Sequence, residues 1–246
     1  MADLALTLLN GYDDLTGDQE FAPFEPRTAP RAAVVVALAN HVHESVRFLL
    51  PAMQTSLTTM HAPLIRGVLE SMVTVLYLDK SEGAAEMVTH ARHQSLQSLH
   101  LSLDDALTIT EVARILDLWN EDQPGLAAGS PEDLLRERCD WLGLSDFYTL
   151  HRRLSDVTKP SVQLADEYLR LPGSGGQPFT VIKAPPNLHL HTLYCWVLCV
   201  SLVWTGRSID RVLRSTTRRP QLQEAARSLG VTADLPSPRR LATSGV

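Results

Sequence analysis

The sequence predicts an all-α protein, a single helical bundle of about seven or eight helices. Apolar residues recur at helical spacing along most of the chain, whereas no convincing series of alternating strands and no repeat of fixed period appears. We expect three regions: a short N-terminal helix with an acidic, proline-rich linker over residues 1–29, the bundle over 30–228, and a disordered tail over 229–246.

The first half of the chain contains two long helical patterns. Residues 31–50 are rich in Ala, Val and Leu, and Pro51 is expected to end or kink their helix. Residues 63–78 predict a second helix, with an apolar stripe formed by Leu64, Val68, Met72, Val75 and Leu76. Ser81 is suited to cap a helix reaching residue 103, and Thr108 begins a capping box before a helix through residue 119.

In the second half, Pro131 follows a capping serine and opens a helix that Gly143 closes. Ser145 begins the next helix, which must end at Lys159 because Pro160 forces that residue out of helical geometry. A short helix over 161–169 is expected to follow.

Glycine and proline are frequent over residues 171–186, which predicts a long loop with one short strand near 179–182. Asn187 is placed to cap a long buried helix ending near Gly206, with residues 207–215 continuing it or beginning a new helix. Pro220 opens the last short helix.

Composition restricts the class of protein. A net charge of −6 and a pI near 5.8 argue against a protein whose whole surface binds nucleic acid. A local basic patch is compatible with this charge. The apolar run 193–204 is shorter than the roughly 20 residues of a membrane span. Three cysteines, Cys139, Cys195 and Cys199, predict reduced thiols and a cytoplasmic protein.

Two charged segments stand out as candidate site residues. Arg66 and Glu70 lie one turn apart on an otherwise apolar helix, either as a local ion pair or as groups facing a pocket. The helix over 145–159 carries Tyr148, His151, Arg153, Ser155, Asp156 and Lys159. A catalytic triad within it is excluded, because Asp156 lies about 100° around the helix from Ser155. Together the two segments predict a polar pocket between helices.

A metal site is not expected, and no cofactor is predicted. His41 and His43 would point about 200° apart on a helix, as would His189 and His191, so neither pair can chelate one ion. Glu86, His90 and His93 share a helical face, but the repeated Glu-x-x-His motif of di-iron bundles does not occur.

Four arginines recur at spacings that would form one basic stripe on a helix: Arg207, Arg211, Arg214 and Arg218. The stripe has two interpretations. In the first, the stripe is a solvated helix face or a surface on which the acidic N-terminal segment packs. In the second, it is an edge that contacts phosphates.

The segments 66–78 and 148–161 resemble those of a family of uncharacterised bacterial helical proteins. In that family an Arg-x-x-x-Glu helix precedes a Tyr, a Leu-Ser pair and a His-Pro-Ser-like ending. This layout is similar to the HEPN superfamily of helical, often dimeric proteins that act on nucleic acids, whose signature is Arg, four to six residues, then His. The resemblance covers about residues 35–205.

The resemblance implies a homodimer in which Arg153 is the signature arginine, with Glu70 as its acidic partner. Lys159 replaces the signature histidine. A lysine would need its pKa lowered by about three units, at a cost of roughly 4 kcal/mol, to act as a base at pH 7. We therefore expect binding of RNA or another anionic ligand, with weak or no metal-independent ribonuclease activity of the toxin or defence type. The alternatives are a small-molecule enzyme or sensor, and a non-catalytic interaction module.

Overall fold

A computed structural model describes residues 1–16, 29–81, 131–159, 164–165, 168–170, 180–181, 187–214 and 217–236. It confirms the all-α bundle. The described part contains seven α-helices and one antiparallel pair of two-residue strands, Leu169–Arg170 (β1) and Thr180–Val181 (β2). The helices are α1 (Ala2–Thr16), α2 (Ala29–Gln54), α3 (Ala62–Lys80), α4 (Pro131–Leu142), α5 (Ser145–Thr158), α6 (His191–Val212) and α7 (Arg219–Leu229).

Helix α6 is the centre of the bundle and packs against α1, α2, α3 and α7. Its residues are apolar on nearly every side, as the sequence predicted for a buried helix. Among the described helices it alone is long and apolar enough to cross a membrane, yet 78% of its apolar window is buried in the bundle. We therefore assign α6 as the core helix.

Both ends of the predicted bundle domain need correction. Helix α1 is not separate from the bundle, because Ala5, Leu8 and Leu9 are buried in the same core as α6. The predicted tail does not begin at residue 229. The indole Nε1 of Trp204 donates to the Thr232 carbonyl at 3.0 Å, and Leu235 is only 8% exposed. Residues 17–28 and 237–246 lie outside the described residues.

Some helix ends also differ from prediction. Pro51 does not end α2, which continues for three further residues to Gln54. Asn187 does not cap α6, because it forms a bridge with Thr58. Leu169 belongs to a strand rather than to the predicted helix over 161–169. The expected helices over 81–103 and 108–119 lie outside the described residues apart from Ser81.

The turn between α4 and α5 positions the candidate site. Gly143 adopts the left-handed conformation with φ 72°, which glycine adopts without steric penalty, and closes α4 as predicted. Helix α5 begins two residues later and ends at Thr158, and the next residue, Lys159, has the extended backbone expected before Pro160. The short turn brings α4 and α5 together, and both pack against α3.

A buried polar cluster joins α1, α2, α6 and the start of α7. The rings of Tyr12 and His43 stack with centroids 3.8 Å apart, and the Arg218 guanidinium lies 5.6 Å from the Tyr12 ring. Arg218 also donates to Asp210 Oδ1 at 2.9 Å. His43 Nδ1 lies 2.7 Å from the Ala39 carbonyl oxygen, and burial lowers the pKa of His43 to about 3.

The low pKa of His43 makes the bundle sensitive to acid. Between pH 6.5 and pH 3 the unfolded chain binds a proton on this side chain and the folded chain does not. His43 should therefore reduce the free energy of unfolding by about 1.4 kcal/mol per pH unit as the pH falls. Denaturant unfolding at a series of pH values should show a shallower pH dependence in His43→Gln. The exposed His41→Gln on the same helix is the control, and an unchanged slope in His43→Gln would contradict the account.

Candidate functional site

Helix α3 carries a line of half-buried side chains on the side that faces α4 and α5. Arg66, Glu70, Thr74 and Tyr77 follow one another at helical spacing, and we call them the polar stripe of α3. The other sides of α3 are apolar and buried, including Ile65, Leu69, Met72 and Leu76. The stripe is therefore polar in a helix whose other contacts are those of a core helix.

Arg66, Glu70 and His151 meet at one end of the stripe, and we call them the Arg66 cluster. Arg66 Nε lies 2.9 Å from Glu70 Oε1, and His151 Nε2 lies 2.6 Å from the same oxygen. Arg66 Nε and His151 Nε2 are 3.0 Å apart. The sequence prediction that the two charged segments converge is thus met by these three residues.

The hydrogen bonds define which nitrogen of His151 carries the proton. With the proton on Nε2, both Arg66 Nε and His151 Nε2 donate to Glu70 Oε1. With the proton on Nδ1 alone, Nε2 would accept from Arg66 Nε, but its lone pair would also face the carboxylate at 2.6 Å, and the buried Nδ1–H would have no acceptor, which is costly. We therefore assign the Nε2–H form, in which Nδ1 is buried and has no hydrogen-bond partner.

Exposure separates the roles of the three side chains. The side chains of Glu70 and Arg66 are 42% and 26% exposed, whereas His151 is only 2% exposed. Burial alone would raise the pKa of Glu70, but the hydrogen bond from His151 and the charge of Arg66 lower it. Glu70 is therefore ionised at neutral pH. A ligand would contact Arg66 and Glu70, and His151 would hold them from behind.

Both exposed groups keep unused hydrogen-bonding atoms. Within the described residues, Arg66 bonds only through Nε and Glu70 only through Oε1. The terminal nitrogens Nη1 and Nη2 of Arg66 and the Oε2 atom of Glu70 remain for a ligand. A guanidinium fixed through Nε can offer its two terminal nitrogens together to a carboxylate or phosphate.

Three other predicted ligand-binding residues lie on the same helix as His151. The Tyr148 ring is half-buried and nearly parallel to that of His151, with centroids 6.3 Å apart. Ser155 is buried, and its hydroxyl donates to the His151 carbonyl at 3.0 Å, which is a contact within the helix. Asp156 is exposed.

The structure does not bring Arg153 or Lys159 into the Arg66 cluster. Arg153 is exposed and lies about 200° around α5 from His151, and its charge acts on Tyr194 of α6. Lys159 is exposed at the end of the helix, about 12 Å along the axis beyond His151. The expected meeting of Arg153 and Lys159 with Glu70 in one recess is therefore wrong, because the positions that face α3 on α5 are those of Tyr148 and His151.

The predicted basic stripe is not continuous. Arg211 pairs with Asp79 at 2.6 Å, and Arg218 is 5% exposed and pairs with Asp210. Arg207 lies 3.7 Å from the same aspartate. Helix α6 ends at Val212, and Arg214 adopts a left-handed backbone conformation with φ 53°. Because the helix ends at Val212 and two internal carboxylates pair with three of the arginines, the four do not form one phosphate-contacting edge.

A second group, which we call the Arg138 cluster, was missed from the sequence. Arg138 Nη1 of α4 donates to Thr74 Oγ1 at 2.9 Å, and its guanidinium lies 5.9 Å from the Tyr77 ring. Tyr77 also packs edge to face on Trp141, with centroids 5.0 Å apart. The one-turn spacing of Arg66 and Glu70, continued for two further turns, leads to Thr74 and Tyr77. No sequence pattern identifies Arg138 and Trp141 of α4 as their partners.

Gly67 leaves open space beside the Arg66 cluster. A glycine inside a helix costs about 1 kcal/mol relative to alanine. A Cβ atom built on Gly67 would meet no described atom within 4 Å, so tight packing in the described structure does not explain the glycine. The space is next to Arg66 in sequence and one turn from Glu70.

The described residues contain no group of three or more His, Cys, Asp or Glu side chains placed to hold a metal ion. All three cysteines are buried and unpaired, as the sequence predicted. Burial raises the pKa of Cys139 and Cys199 to about 12, so these two thiols are poor nucleophiles. Glu86, His90 and His93 lie outside the described residues.

Comparison of the chain with protein-family models, with curated proteins and with solved structures finds no match. The resemblance to the HEPN superfamily therefore stays a prediction. The geometry of the Arg66 cluster and of the Arg138 cluster then bears on the function.

The open space at Gly67 predicts that Gly67→Ala raises the free energy of unfolding by about 0.5 to 1 kcal/mol, because alanine favours the helix and its methyl group meets no atom. Denaturant unfolding measures the change. Gly206→Ala in α6 is the control, since a Cβ there would lie 3.2 Å from Leu222 Cδ2 and should give no such gain. A loss of stability in Gly67→Ala would show that the space is occupied.

Proposed function

We propose that this protein binds an anionic ligand at the Arg66 cluster, and that the ligand is a small molecule rather than RNA. The observation that carries the proposal is the fixation of Arg66 through Nε alone, with Nη1 and Nη2 unused among the described contacts. A guanidinium held in this way loses little conformational entropy when a carboxylate or phosphate binds.

The position of the cluster supports a binding role. His151 is buried between helices and cannot be contacted by solvent, so its hydrogen bond to Glu70 is a support for the exposed pair. Among the described residues, no atom lies within 4 Å of the position that a Cβ of Gly67 would take next to that pair. A buried supporting group behind a partly exposed polar pair is the arrangement expected of a preorganised site.

The charge distribution favours a small anion over a polynucleotide. The chain carries a net charge of −6, and Arg207, Arg211 and Arg218 pair with internal carboxylates. Ribonuclease chemistry needs a base placed beside the cation, and the predicted pair Arg153 and Lys159 does not join Glu70. We therefore propose binding without cleavage.

RNA binding is a second candidate, and one observation favours it. Arg152, Arg153 and Lys159 are all exposed on α5, outside the Arg66 cluster, and Arg153 and Lys159 are the positions that the HEPN-like resemblance selects. In this version the homodimer implied by the resemblance would supply the remaining contacts to RNA.

The cytoplasmic location also stays a prediction.

Replacing Arg66 tests the proposal. Isothermal titration calorimetry should show benzoate binding to the wild-type protein, and Arg66→Gln should weaken it about tenfold or more, which corresponds to about 1.4 kcal/mol. The control is Arg136→Gln, which removes an exposed arginine of α4 that pairs with Asp133. Equal affinity in Arg66→Gln and wild type would overturn the proposal.

The same protein titrated with single-stranded RNA separates the second candidate. RNA affinity that falls steeply with salt and is lost in Arg153→Gln, but kept in Arg66→Gln, would establish nucleic-acid binding on the outer face of α5. Absence of RNA binding at low salt would exclude it.

A further inference from the structure

Arg138 is half-buried and differs from the buried Arg218 of the described bundle. Arg218 pairs with Asp210, whereas the partners of Arg138 in the described residues are the Thr74 hydroxyl and the Tyr77 ring. No ion pair joins Arg138 to a carboxylate in the part of the chain that the structure describes. Burial lowers the pKa of Arg138, which means that the surroundings disfavour its charge.

A half-buried guanidinium without a counterion is costly, because neither the hydroxyl nor the ring neutralises the charge it takes out of water. An anion bound to it would offset that cost. Only Nη1 of Arg138 donates a hydrogen bond in the described structure, which leaves Nε and Nη2 for such an anion. The Thr74 hydroxyl fixes the guanidinium from α3.

The Arg138 cluster is adjacent to the Arg66 cluster. Thr74, which binds Arg138, is one helical turn from Glu70, which binds Arg66, and one turn corresponds to about 6 Å along α3. Two guanidinium groups therefore lie along one stripe, with a single carboxylate between them. Tyr77 and Trp141 place aromatic rings at the Arg138 end.

We propose that the Arg138 cluster is a second anion subsite, and that the ligand of the polar stripe is a dicarboxylate with anionic groups at both ends. One carboxylate binds Arg138, and the other carboxylate binds Arg66. The proposal rests on the proposed function, because it takes the Arg66 cluster as the first subsite. It adds the chemical class of the ligand.

Terephthalate is a suitable probe, since its two carboxylates lie on opposite ends of one ring. Calorimetry should show that the wild-type protein binds terephthalate about tenfold more tightly than benzoate, and that neutral terephthalamide binds far more weakly than either. Arg138→Gln should lose the advantage of terephthalate and still bind benzoate through Arg66. Arg136→Gln should behave as wild type.

Thr74→Val is the second variant, because it removes the hydroxyl that fixes Arg138 at little change in volume; it should reduce the advantage of terephthalate by several-fold. Equal affinity for terephthalate and benzoate in the wild type, with benzoate binding still dependent on Arg66, would overturn the second subsite and leave the proposed function standing. Full terephthalate affinity in Arg138→Gln would overturn it as well. Failure of the wild type to bind either acid at millimolar concentration would overturn both proposals.

Discussion

The hydrogen bond between His151 and Glu70 is the contact on which the candidate site depends. It joins α5 to α3, and Phe147 and Leu154 of α5 are buried on either side of His151 in sequence. Because His151 is buried, removing the bond would leave a polar ring without a partner in the core. The position of the Glu70 carboxylate, and through it that of Arg66, follows from this one contact.

The arginines of the described bundle differ in whether they pair with carboxylates inside the fold. Towards α1, α2 and α7, Asp210 pairs with both Arg218 and Arg207 inside the fold, and Arg211 pairs with Asp79. On the polar stripe of α3, two nitrogens of Arg66 are unused among the described contacts, and Arg138 has no described carboxylate partner. Charges of the first kind stabilise contacts between helices, whereas those of the second kind are suited to bind a ligand.

Local signals in the sequence predicted what depends on local geometry. Gly143 and Pro160 determine the ends of α4 and α5, and the one-turn spacing of Arg66 and Glu70 placed them on one face. The sequence also pointed to His151 as a partner of that face. These features need only helix geometry and the conformational limits of glycine and proline.

The features that were wrong or missed depend on tertiary contacts. The side of α5 that faces α3 carries Tyr148 and His151, and no pattern within α5 excluded Arg153 from that side. The early end of α6 at Val212 broke a spacing of arginines that looks continuous in sequence. Arg138 was missed because only the packing of α4 on α3 brings it to Thr74, and Leu235 because its burial depends on contacts with distant helices.

The tautomer of His151 tests directly whether the hydrogen bond from His151 positions Glu70 and Arg66. Nitrogen-15 NMR of labelled protein, with the His151 signals assigned by their loss in His151→Gln, distinguishes a protonated ring nitrogen from a bare one. We expect that Nε2 carries the proton and Nδ1 does not, and that Glu70→Gln weakens this preference. A proton on Nδ1, or an equal mixture of the two forms in the wild-type protein, would contradict the hydrogen bond that positions Glu70 and Arg66.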